Sequence, residues 1–519
     1  MRKTYYITTP IYYVNDKPHI GHSYTTVVAD VMARYHRAEG FDVRFLTGTD
    51  EHGIKICKAA AEKDLTPQQL ADQVVVHFED LWKNLEITND DFIRTSQPRH
   101  EARVQELVRR LVEKDEIYLG KYEGWYDEGQ EEFVTESTAR ENEYKSQISG
   151  KPLVRYSEPS YFFRLGKWVP KLIEYIEAHP EFVLPSARRN EVLSKLKLGV
   201  EDLSISRQAD KLMNWGVPMP NDPTHSVYVW IDALSNYITA LGYPAIGDEH
   251  DEKNWNYWPC DVHMIGKDIL WFHAVYWPCM LMALDLPLPK TVFAHGWWMS
   301  EGKKMSKTLG NFISREVIAE ICDEYSVDVF RYYLLRAVSF GQDGDFSRTM
   351  FQERYNGELA NAVGNLLSRT VNMITRYFDG SVPEPADNGD EEQAVLAAAK
   401  DLNESAAEVM ANLQPQNYLE KILFLAQATN RYIDTTEPFK LAKDESQRER
   451  LGTILYTCAE SVRIILSYLS PVMPATVEKG LAMLGVKLDE TPLGKQCAWG
   501  TIKSGTQVEK GSPLFPRKQ

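Results

Sequence analysis

The chain has 519 residues, of which 43% are hydrophobic and 25% charged, and its formal net charge is −16. This length allows two or three domains, and the composition is ordinary for a soluble globular protein. The acidic balance disfavours a general nucleic-acid binder, because affinity for a polyanion depends on lysine and arginine, but it permits a grip on one RNA through local basic surfaces.

Membrane-spanning, secreted and zinc-finger-like proteins are disfavoured as well. The apolar run 274–289 is too short to cross a membrane and contains prolines, and residues 1–10 have no apolar signal core. The six cysteines are scattered without a C-x-x-C pair, so we expect buried thiols and no structural zinc. We therefore expect a cytoplasmic protein with no membrane association.

The first fifty residues predict a strand, a helix and a second strand. Residues 4–16 are rich in aromatic and β-branched side chains, which is typical of a strand. Apolar residues at helical spacing over 20–35, followed by Gly40, predict a helix. Residues 41–53 predict a strand that runs into an acidic loop. This order predicts a βαβ unit and hence a parallel sheet.

Two histidines and a glycine stand where the first helix begins. His19, Gly21 and His22 follow Pro18, which suits a first helical turn. Unpaired backbone N–H groups and the positive end of the helix dipole favour phosphate there. Each histidine taken singly is more simply a cap or a packed side chain, and the pair with its glycine favours a phosphate site only modestly. A second signal is needed.

Two helices follow, and then the pattern changes. A capping box at 66–69 opens one helix, and residues 98–116 predict the other. From about 117 to 227, short aromatic strands mix with turns and a helix near 168–178, which is typical of an inserted segment.

The parallel-sheet pattern then resumes. Strands are predicted at 225–232, 261–268 and 290–299, so we expect an α/β nucleotide-binding domain that is split in sequence. From about 315 onward helix follows helix, with a polar break at 383–393, and the C-terminal stretch KGSPLFPRKQ is expected to pack back as an extended segment.

The second signal is the stretch GKKMSKTLG at 302–310. Three lysines between two glycines describe a mobile cationic loop that is able to close over a polyphosphate. Such a loop by itself is usually solvated surface. Together, HIGH at 19–22 and KMSKT at 304–308 resemble the paired signatures of class I aminoacyl-tRNA synthetases, with Thr308 keeping the hydroxyl where serine is commoner.

Further stretches narrow the resemblance to the methionyl-tRNA synthetases and spread it over nearly the whole chain. These are, in order, TTPIYYVNDKPHIGH, FLTGTDEHG, DLSISR, YVWIDAL, IGKDILWFHAVYWP and KMSKTLGN. Relatives that activate leucine, isoleucine or valine carry a much larger editing insert than 117–227, and the cysteinyl relative uses zinc-binding cysteines that are not found here.

The resemblance implies a Rossmann-type parallel-sheet catalytic domain, split by an inserted connective domain and followed by an α-helical anticodon-binding bundle. The expected bounds are 1–116 and 228–300 for the two catalytic halves, 117–227 for the connective domain, 301–354 for the lysine loop and stem-contact region, and 355–519 for the anticodon-binding domain with its C-terminal extension. Residues 124–133 replace the zinc-ligating cysteines of many members, so a zinc-free short form is expected.

The implied reaction is attack of the L-methionine carboxylate on the α-phosphate of ATP, release of pyrophosphate, and transfer of the methionyl group to initiator and elongator tRNA(Met). Magnesium accompanies the ATP. The catalytic and ATP-binding residues implied are His19 and His22 for the phosphates, Gly21 for the approach of adenine, Lys304 and Lys307 for the departing pyrophosphate, and Gly266 and Asp268 for the ribose. Asp268 would cap a helix start equally well.

Methionine recognition is implied for Asp50, which would pair with the ammonium group; a turn-stabilising aspartate is the simpler alternative. The apolar pocket implied consists of Ile11, Tyr13, Trp230, Ala233, Tyr237, Phe272 and His273. For Trp230 or Phe272 taken singly, an ordinary core position is the better interpretation.

Anticodon recognition is implied for Asn365 and Arg369, which lie four residues apart on one helical face, and for Phe439, which stands where the family usually has tryptophan. The alternative is an ordinary interhelical polar pair and a buried phenyl ring.

Two other functions remain open from the sequence. A free nucleotidyltransferase shares the HxGH helix start but is usually much shorter, and a catalytically silent paralogue would bind tRNA without activating an amino acid. No appended dimerisation or RNA-binding domain is seen, so we expect a monomer.

Overall fold

The chain alternates strands and helices up to Phe346 and is helical beyond it. The computed structural model describes residues 2–127, 132–134, 136–146, 150–246, 252–305, 311–386 and 389–518. Its strands are β1 (Thr4–Tyr13), β2 (Asp42–Asp50), β3 (Asp91–Arg94), β4 (Ile117–Asp127), β5 (Glu132–Val134), β6 (Val154–Phe163), β7 (Val183–Leu184), β8 (Leu203–Ser204), β9 (Ser206–Gln208), β10 (Pro218–Met219), β11 (Asp222–Val227), β12 (Val262–Gly266), β13 (Thr291–His295), β14 (Trp298–Ser300), β15 (Lys303–Lys304) and β16 (Gly344–Phe346).

The helices cover most of the rest. The α-helices are α1 (Ile20–Ala38), α2 (Ile54–Ala61), α3 (Pro67–Asn84), α4 (Pro98–Glu113), α5 (Glu136–Glu141), α6 (Leu165–Ala178), α7 (Ser186–Leu196), α8 (Val229–Thr239), α9 (Glu252–Trp255), α10 (Trp277–Ala283), α11 (Arg315–Glu324), α12 (Val327–Arg336), α13 (Arg348–Arg354), α14 (Asn365–Tyr377), α15 (Gln393–Ala411), α16 (Pro415–Thr436), α17 (Pro438–Leu441), α18 (Arg448–Leu469), α19 (Pro474–Met483) and α20 (Leu493–Gln496). Two π-helical segments span Phe272–Tyr276 and Tyr355–Gly364.

A six-stranded parallel sheet with the order β3-β2-β1-β12-β13-β7 forms the centre of the fold. Both faces of β1 are buried along most of its length, as expected for a parallel strand covered by helices. The chain moves from β1 to β2 and β3 on one side and resumes with β12 on the other. The sheet therefore reverses its winding between β1 and β12, and the prediction of a split parallel-sheet domain is confirmed.

The predicted strand at 225–232 is wrong in its second half and in its sheet. Strand β11 ends at Val227, and helix α8 begins at Val229. The strand pairs antiparallel with β9 and β10 in a small three-stranded sheet, outside the parallel one. The run VYVW has strong strand propensity, but α8 buries Ile231, Leu234 and Ile238 at helical spacing, and this packing prevails.

Two short strands also depart from the predicted pattern. Strand β7 comes from within the range read as inserted and yet forms an edge of the central sheet. Strand β16 lies in the range predicted to be helical and pairs parallel with β14. Both are two or three residues long, and so short a segment has no detectable period in the sequence.

The C-terminal stretch packs back against the helices, as predicted. The Tyr355 hydroxyl donates to the Pro516 carbonyl at 2.7 Å, and the Asn356 amide donates to the Lys518 carbonyl at 3.0 Å. The ring of Phe515 lies against Gly364, where an added Cβ would approach it to 3.1 Å. The extended C-terminal segment therefore packs against the π-helical segment Tyr355–Gly364.

A buried arginine joins the helical part to the first helix. Arg331 on α12 is fully buried and donates to Asp30 Oδ2 on α1 at 2.7 Å, to the Val472 carbonyl at 2.9 Å and to the Leu85 carbonyl at 3.1 Å. Burial alone would raise the pKa of Asp30, but Arg331 and Arg34 hold it below its ordinary value. The position of α1 thus depends on residues far along the chain.

Replacing Arg331 by methionine is expected to lower the free energy of unfolding by about 3 to 5 kcal/mol, because Asp30 would lose its fully buried cation and the carbonyls of Val472 and Leu85 would lose their donor. Urea unfolding followed by circular dichroism measures the change. Lys400→Met, which removes an exposed pair with Glu404, is the control and is expected to cost less than about 1 kcal/mol. Equal shifts for the two variants would contradict the assigned role of Arg331.

Candidate active site

Most of the residues singled out in the sequence lie at one edge of the central sheet. Strands β1, β2, β12 and β13 end there at Tyr13, Asp50, Gly266 and His295, and helix α1 begins beside them. His295 Nε2 lies 2.7 Å from the hydroxyl of Thr25 on α1, so helix and sheet are joined at this edge. In open parallel sheets, ligands bind in the crevice where the winding reverses, which makes this the candidate active site.

His19 and His22 cap the start of α1 reciprocally. The Gly21 N–H donates to His19 Nδ1 at 3.0 Å, and the His19 N–H donates to His22 Nδ1 at 3.1 Å. Because each Nδ1 accepts, each neutral ring carries its proton on Nε2. Burial, followed by the neighbouring His19, lowers the pKa of His22 well below its ordinary value. Two neutral imidazoles therefore carry Nε2–H donors in the first turn of the helix.

Gly21 is required by this cap. A Cβ at position 21 would lie 2.9 Å from Cε1 of the His19 ring. The ring sits over the Gly21 N–H at a distance that a side chain there would prevent. The glycine between the histidines thus has a local structural reason in addition to the expected approach of adenine.

The lysine loop falls partly outside the described residues. Residues 306–310, including Lys307, are not among them, and for Lys304 only its backbone in β15 is described. The segment that follows the loop lies on the start of α1: the Ile20 N–H donates to the Ile313 carbonyl at 3.1 Å, and the Phe312 ring is 5.2 Å from that of His19. One end of the loop is thus fixed beside the histidine pair.

Gly266 and Asp268 lie together after β12. A Cβ on Gly266 would meet Asp268 Oδ1 at 2.6 Å, so the glycine permits this close turn. Asp268 is exposed and accepts a hydrogen bond from Trp297 Nε1 at 3.2 Å. Trp297 is itself 50% exposed, with Lys267 Nζ 4.2 Å from its ring centre. Sequence reasoning assigned no role to Trp297 or Lys267. The position of Trp297, two residues after the end of β13, was a signal that could have identified it.

The residues of the expected apolar pocket form two contacting pairs. The rings of Trp230 and Phe272 stack with centres 3.7 Å apart, and the Tyr237 hydroxyl lies 2.6 Å from His273 Nε2. His273 Nδ1 lies 3.0 Å from the Ile269 carbonyl, so Nδ1 carries the proton and Nε2 accepts from Tyr237. Burial lowers the pKa of His273 to about 4. The histidine is therefore neutral at physiological pH.

The remaining expected pocket residues lie close by. Ala233 is buried one helical turn from Tyr237 on α8. Ile11 and Trp230 pack against the hydrophobic cluster that contains Tyr237. Ile11 follows an irregularity in the pairing of β1 with β2, and Tyr13 is paired in register with Asp50. The π-helical turn that begins at Phe272 is of a kind often found at functional sites.

Asp50 is buried at the end of β2, and its Oδ1 atom has no hydrogen-bond partner. Burial, and then the nearby carboxylate of Asp232, raise the pKa of Asp50 well above its ordinary value. A buried carboxylate with an unpartnered oxygen is costly unless a cation joins it. The alternative of a simple turn-stabilising aspartate leaves this oxygen unexplained.

Sequence reasoning missed a buried charge cluster behind Asp50. His52 Nδ1 lies 2.7 Å from Asp232 Oδ2, and His100 Nε2 lies 2.9 Å from Asp232 Oδ1. Burial opposes protonation of His52, but Asp232 outweighs it and raises the pKa of His52 to about 10. Likewise, burial opposes ionisation of Asp232, but the histidines lower its pKa to about 2. His52 and Asp232 both occur in motifs that carried the resemblance, where no role was assigned to them.

The expected anticodon residues are accessible on the helical part. Asn365 is exposed, and Arg369 is partly exposed and donates to Asp434 Oδ1 on α16 at 3.0 Å. Phe439 follows α16 and is 45% exposed, so the alternative of a buried phenyl ring is wrong. The Arg369–Asp434 contact is an interhelical polar pair, which was the other alternative.

Within the described ranges given above, no group of three or more His, Cys, Asp or Glu side chains is placed to hold a metal ion. No helix in that part of the chain is long and apolar enough to cross a membrane.

The chain is similar to known proteins over its whole length. The family described as tRNA synthetases class I (M) matches residues 5–143 and 137–371. The methionine–tRNA ligase of Caldanaerobacter subterraneus subsp. tengcongensis is 50% identical to this chain, and the match covers 100% of this chain and 79% of that relative. The methionine–tRNA ligase of Bacillus subtilis is 46% identical, and the match covers 99% of this chain and 78% of that relative. The structure of Mycobacterium tuberculosis methionyl-tRNA synthetase in complex with methionyl-adenylate matches with a TM-score of 0.90 and 39% identity, over 99% of this chain and 100% of that chain.

The Tyr237–His273 pair predicts a dependence of stability on pH. The folded-state pKa of about 4 lies below the unfolded value, so the neutral form stabilises the fold above about pH 6.5 and this contribution is lost as the pH falls to about 4. Ring ¹⁵N NMR is expected to show His273 neutral, with its proton on Nδ1, at pH 6. His273→Gln should flatten the pH dependence of the unfolding midpoint in this range. A ring that is charged at pH 6 would contradict the assignment.

Proposed function

This chain belongs to the methionyl-tRNA synthetases of class I, and from that premise we propose which of its residues carry each step. The protein is an ATP-dependent methionine–tRNA ligase that activates methionine and charges tRNA. The observation that carries the residue proposal is the grouping of the capped histidine pair and the unpartnered carboxylate of Asp50 at one edge of the sheet.

His19 and His22 donate their Nε2–H groups to the phosphates of MgATP as methionine attacks. What supports this is the neutral tautomer of both rings and their place in the first turn of α1, where the helix dipole favours negative charge. Phosphoryl transfer needs little covalent chemistry from a protein, so fixed donors aimed at the developing charge supply much of the catalysis. Gly21 keeps both rings in position and leaves room for adenine.

Lys304 and Lys307 hold the departing pyrophosphate, with Lys307 in the more direct contact. In support, the segment that leaves their loop is bonded to the start of α1, which limits how far the loop reaches from the histidines. A lysine ammonium on a flexible four-carbon side chain is suited to bind a leaving phosphate group and release it. Gly266 and Asp268 bind the ribose, because the exposed carboxylate of Asp268 is available to its hydroxyl groups.

Asp50 pairs with the ammonium group of L-methionine. Its buried oxygen without a partner favours a cation at this point. The thioether side chain lies in the apolar pocket, whose proposed members are Ile11, Tyr13, Trp230, Ala233, Tyr237, Phe272 and His273. One extra or missing methylene group changes the binding free energy in such a pocket by about 1 to 3 kcal/mol, so discrimination against amino acids of nearly the same shape is limited.

Asn365, Arg369 and Phe439 bind the anticodon of initiator and elongator tRNA(Met). The exposed phenyl ring of Phe439 offers a stacking surface, and the amide and guanidinium groups offer hydrogen bonds to unstacked bases. We propose the domain bounds given above, with the anticodon-binding part at 355–519. A monomer in the cytoplasm and a zinc-free insert stay predictions.

Methionine-dependent exchange of pyrophosphate into ATP tests the proposal. The purified protein is expected to exchange only when L-methionine is present, because its carboxylate must attack before pyrophosphate forms. Exchange without methionine would indicate a free nucleotidyltransferase, and no exchange together with tRNA binding would indicate a silent paralogue. Either result would contradict the proposed site.

Lys307→Ala is expected to slow adenylate formation on the order of 100- to 1,000-fold while changing methionine binding little, because the lysine acts on charge that develops at the leaving group. Single-turnover kinetics and equilibrium binding of methionine separate the two effects. Lys303→Ala, a neighbouring exposed lysine, is the matched control. Equal losses in rate and methionine binding would defeat the role assigned to Lys307.

A further inference from the structure

The charge cluster behind Asp50 contains more than the assigned site requires. Asp50 and the three cluster residues behind it, His52, His100 and Asp232, are each at most 2% exposed, and they come from the end of β2 and the loop after it, from α4 and from α8. Charged groups are seldom buried without a partner, because leaving water costs several kcal/mol for each ion. The cluster has therefore been assembled at a considerable energetic cost.

The two buried carboxylates of this cluster are treated unequally. Both oxygens of Asp232 are bonded, Oδ2 to His52 at 2.7 Å and Oδ1 to His100 at 2.9 Å. His100 is held in turn by the hydroxyl of Thr239, 2.7 Å from its Nδ1. Asp50 faces the same cluster, and its Oδ1 has no partner. One carboxylate is thus neutralised from within the protein and the other is left open to a ligand.

We propose that His52 is a positioning residue for methionine: as an imidazolium held on Asp232, it cancels that carboxylate and leaves Asp50 as the single negative charge for one ammonium group. This inference rests on the proposed role of Asp50. Without His52, two buried carboxylates would face each other and would compete for a proton, because like charges in a dry site do not both ionise readily. Protonated Asp50 has no charge to offer the substrate.

The other titratable groups that face this cluster do not replace His52. Glu51 is turned away and binds Arg94, with Oε1 to Nε at 2.7 Å. Glu101 on α4 lies 3.4 Å from His52 Nε2 and adds negative charge on the far side of the ring. Tyr13, which is paired in register with Asp50, and Tyr228 have pKa values that burial raises. Both tyrosines are neutral donors, so His52 is the cation bonded to Asp232 next to Asp50.

A double-mutant cycle tests this inference. His52→Gln keeps a side chain that can donate to Asp232 but removes the charge, and it is expected to raise the methionine concentration for half-maximal exchange about 10- to 100-fold at pH 7. The half-saturating ATP concentration should change less than about twofold.

Asp232→Asn is expected to weaken methionine binding as well, because the imidazolium of His52 then pairs with Asp50 and competes with the substrate. The double variant His52→Gln/Asp232→Asn removes both charges and should recover methionine binding to within a few-fold of the wild type.

The pH profile distinguishes charge balance from a loss of packing. Removing the cation raises the pKa of Asp50 further, so methionine binding by His52→Gln should strengthen as the pH rises from about 6 to 8.5. The double variant should lose this dependence, because the repelling carboxylate is gone. His36→Gln, another buried histidine, on α1, is the matched control and should leave the methionine requirement unchanged.

Two results would overturn the inference. One is a normal methionine requirement in His52→Gln, and the other is a double variant that binds methionine no better than the single variants. If one single variant does not fold, comparison of the other single variant with the double variant still shows whether removing the second charge restores methionine binding. Failure of the proposed function itself would be distinct, because the wild-type protein would then show no methionine-dependent exchange.

Discussion

The reciprocal cap at the start of α1 is the interaction on which the rest of the site depends. The His19 ring accepts a hydrogen bond from the Gly21 N–H, the His22 ring accepts one from the His19 N–H, and the absence of a side chain on Gly21 leaves room for the His19 ring. The same hydrogen bonds that stabilise the helix end also fix the tautomers, so that both rings carry their proton on Nε2. Structural capping and phosphate binding, which seemed to be alternatives in the sequence, are compatible in one arrangement.

Buried charge is used in two different ways around this helix. Arg331 and Asp30 form a fully satisfied ion pair that anchors α1 to the helical part, with backbone carbonyls taking the remaining donors. Near the proposed methionine pocket the hydrogen bonding is incomplete, because Asp50 keeps an oxygen without a partner. A complete network gives rigidity, and an incomplete one gives a place for a cation. This difference between the Arg331–Asp30 pair and Asp50 supports the proposal that Asp50 binds the substrate.

The parts of the fold that were predictable have long, regular patterns. The strand predicted within residues 4–16, the helix predicted after His19 and the capping box at the start of α3 are confirmed, with the strand ending at Tyr13. The predictions are wrong where tertiary packing overrides the local preference of the residues. At 225–232, aromatic and β-branched residues that favour a strand form the start of α8 instead. Among the candidate site residues, those predicted at strand ends lie together at one edge of the sheet. His52 and Asp232, which occur in motifs, and His100, which does not, were assigned no role.

By itself the sequence determined the chemical inventory of this protein: histidines at a helix start, a lysine loop, an acidic strand end, and an order of elements that only a parallel sheet accommodates. Tertiary structure alone decided which of the buried charges are paired. His52, Asp232 and His100 lie up to 180 residues apart along the chain, and whether a carboxylate is neutralised or left open depends on distances of a few ångströms between them. Charge in a low-dielectric interior is governed by such distances, and a linear sequence does not contain them.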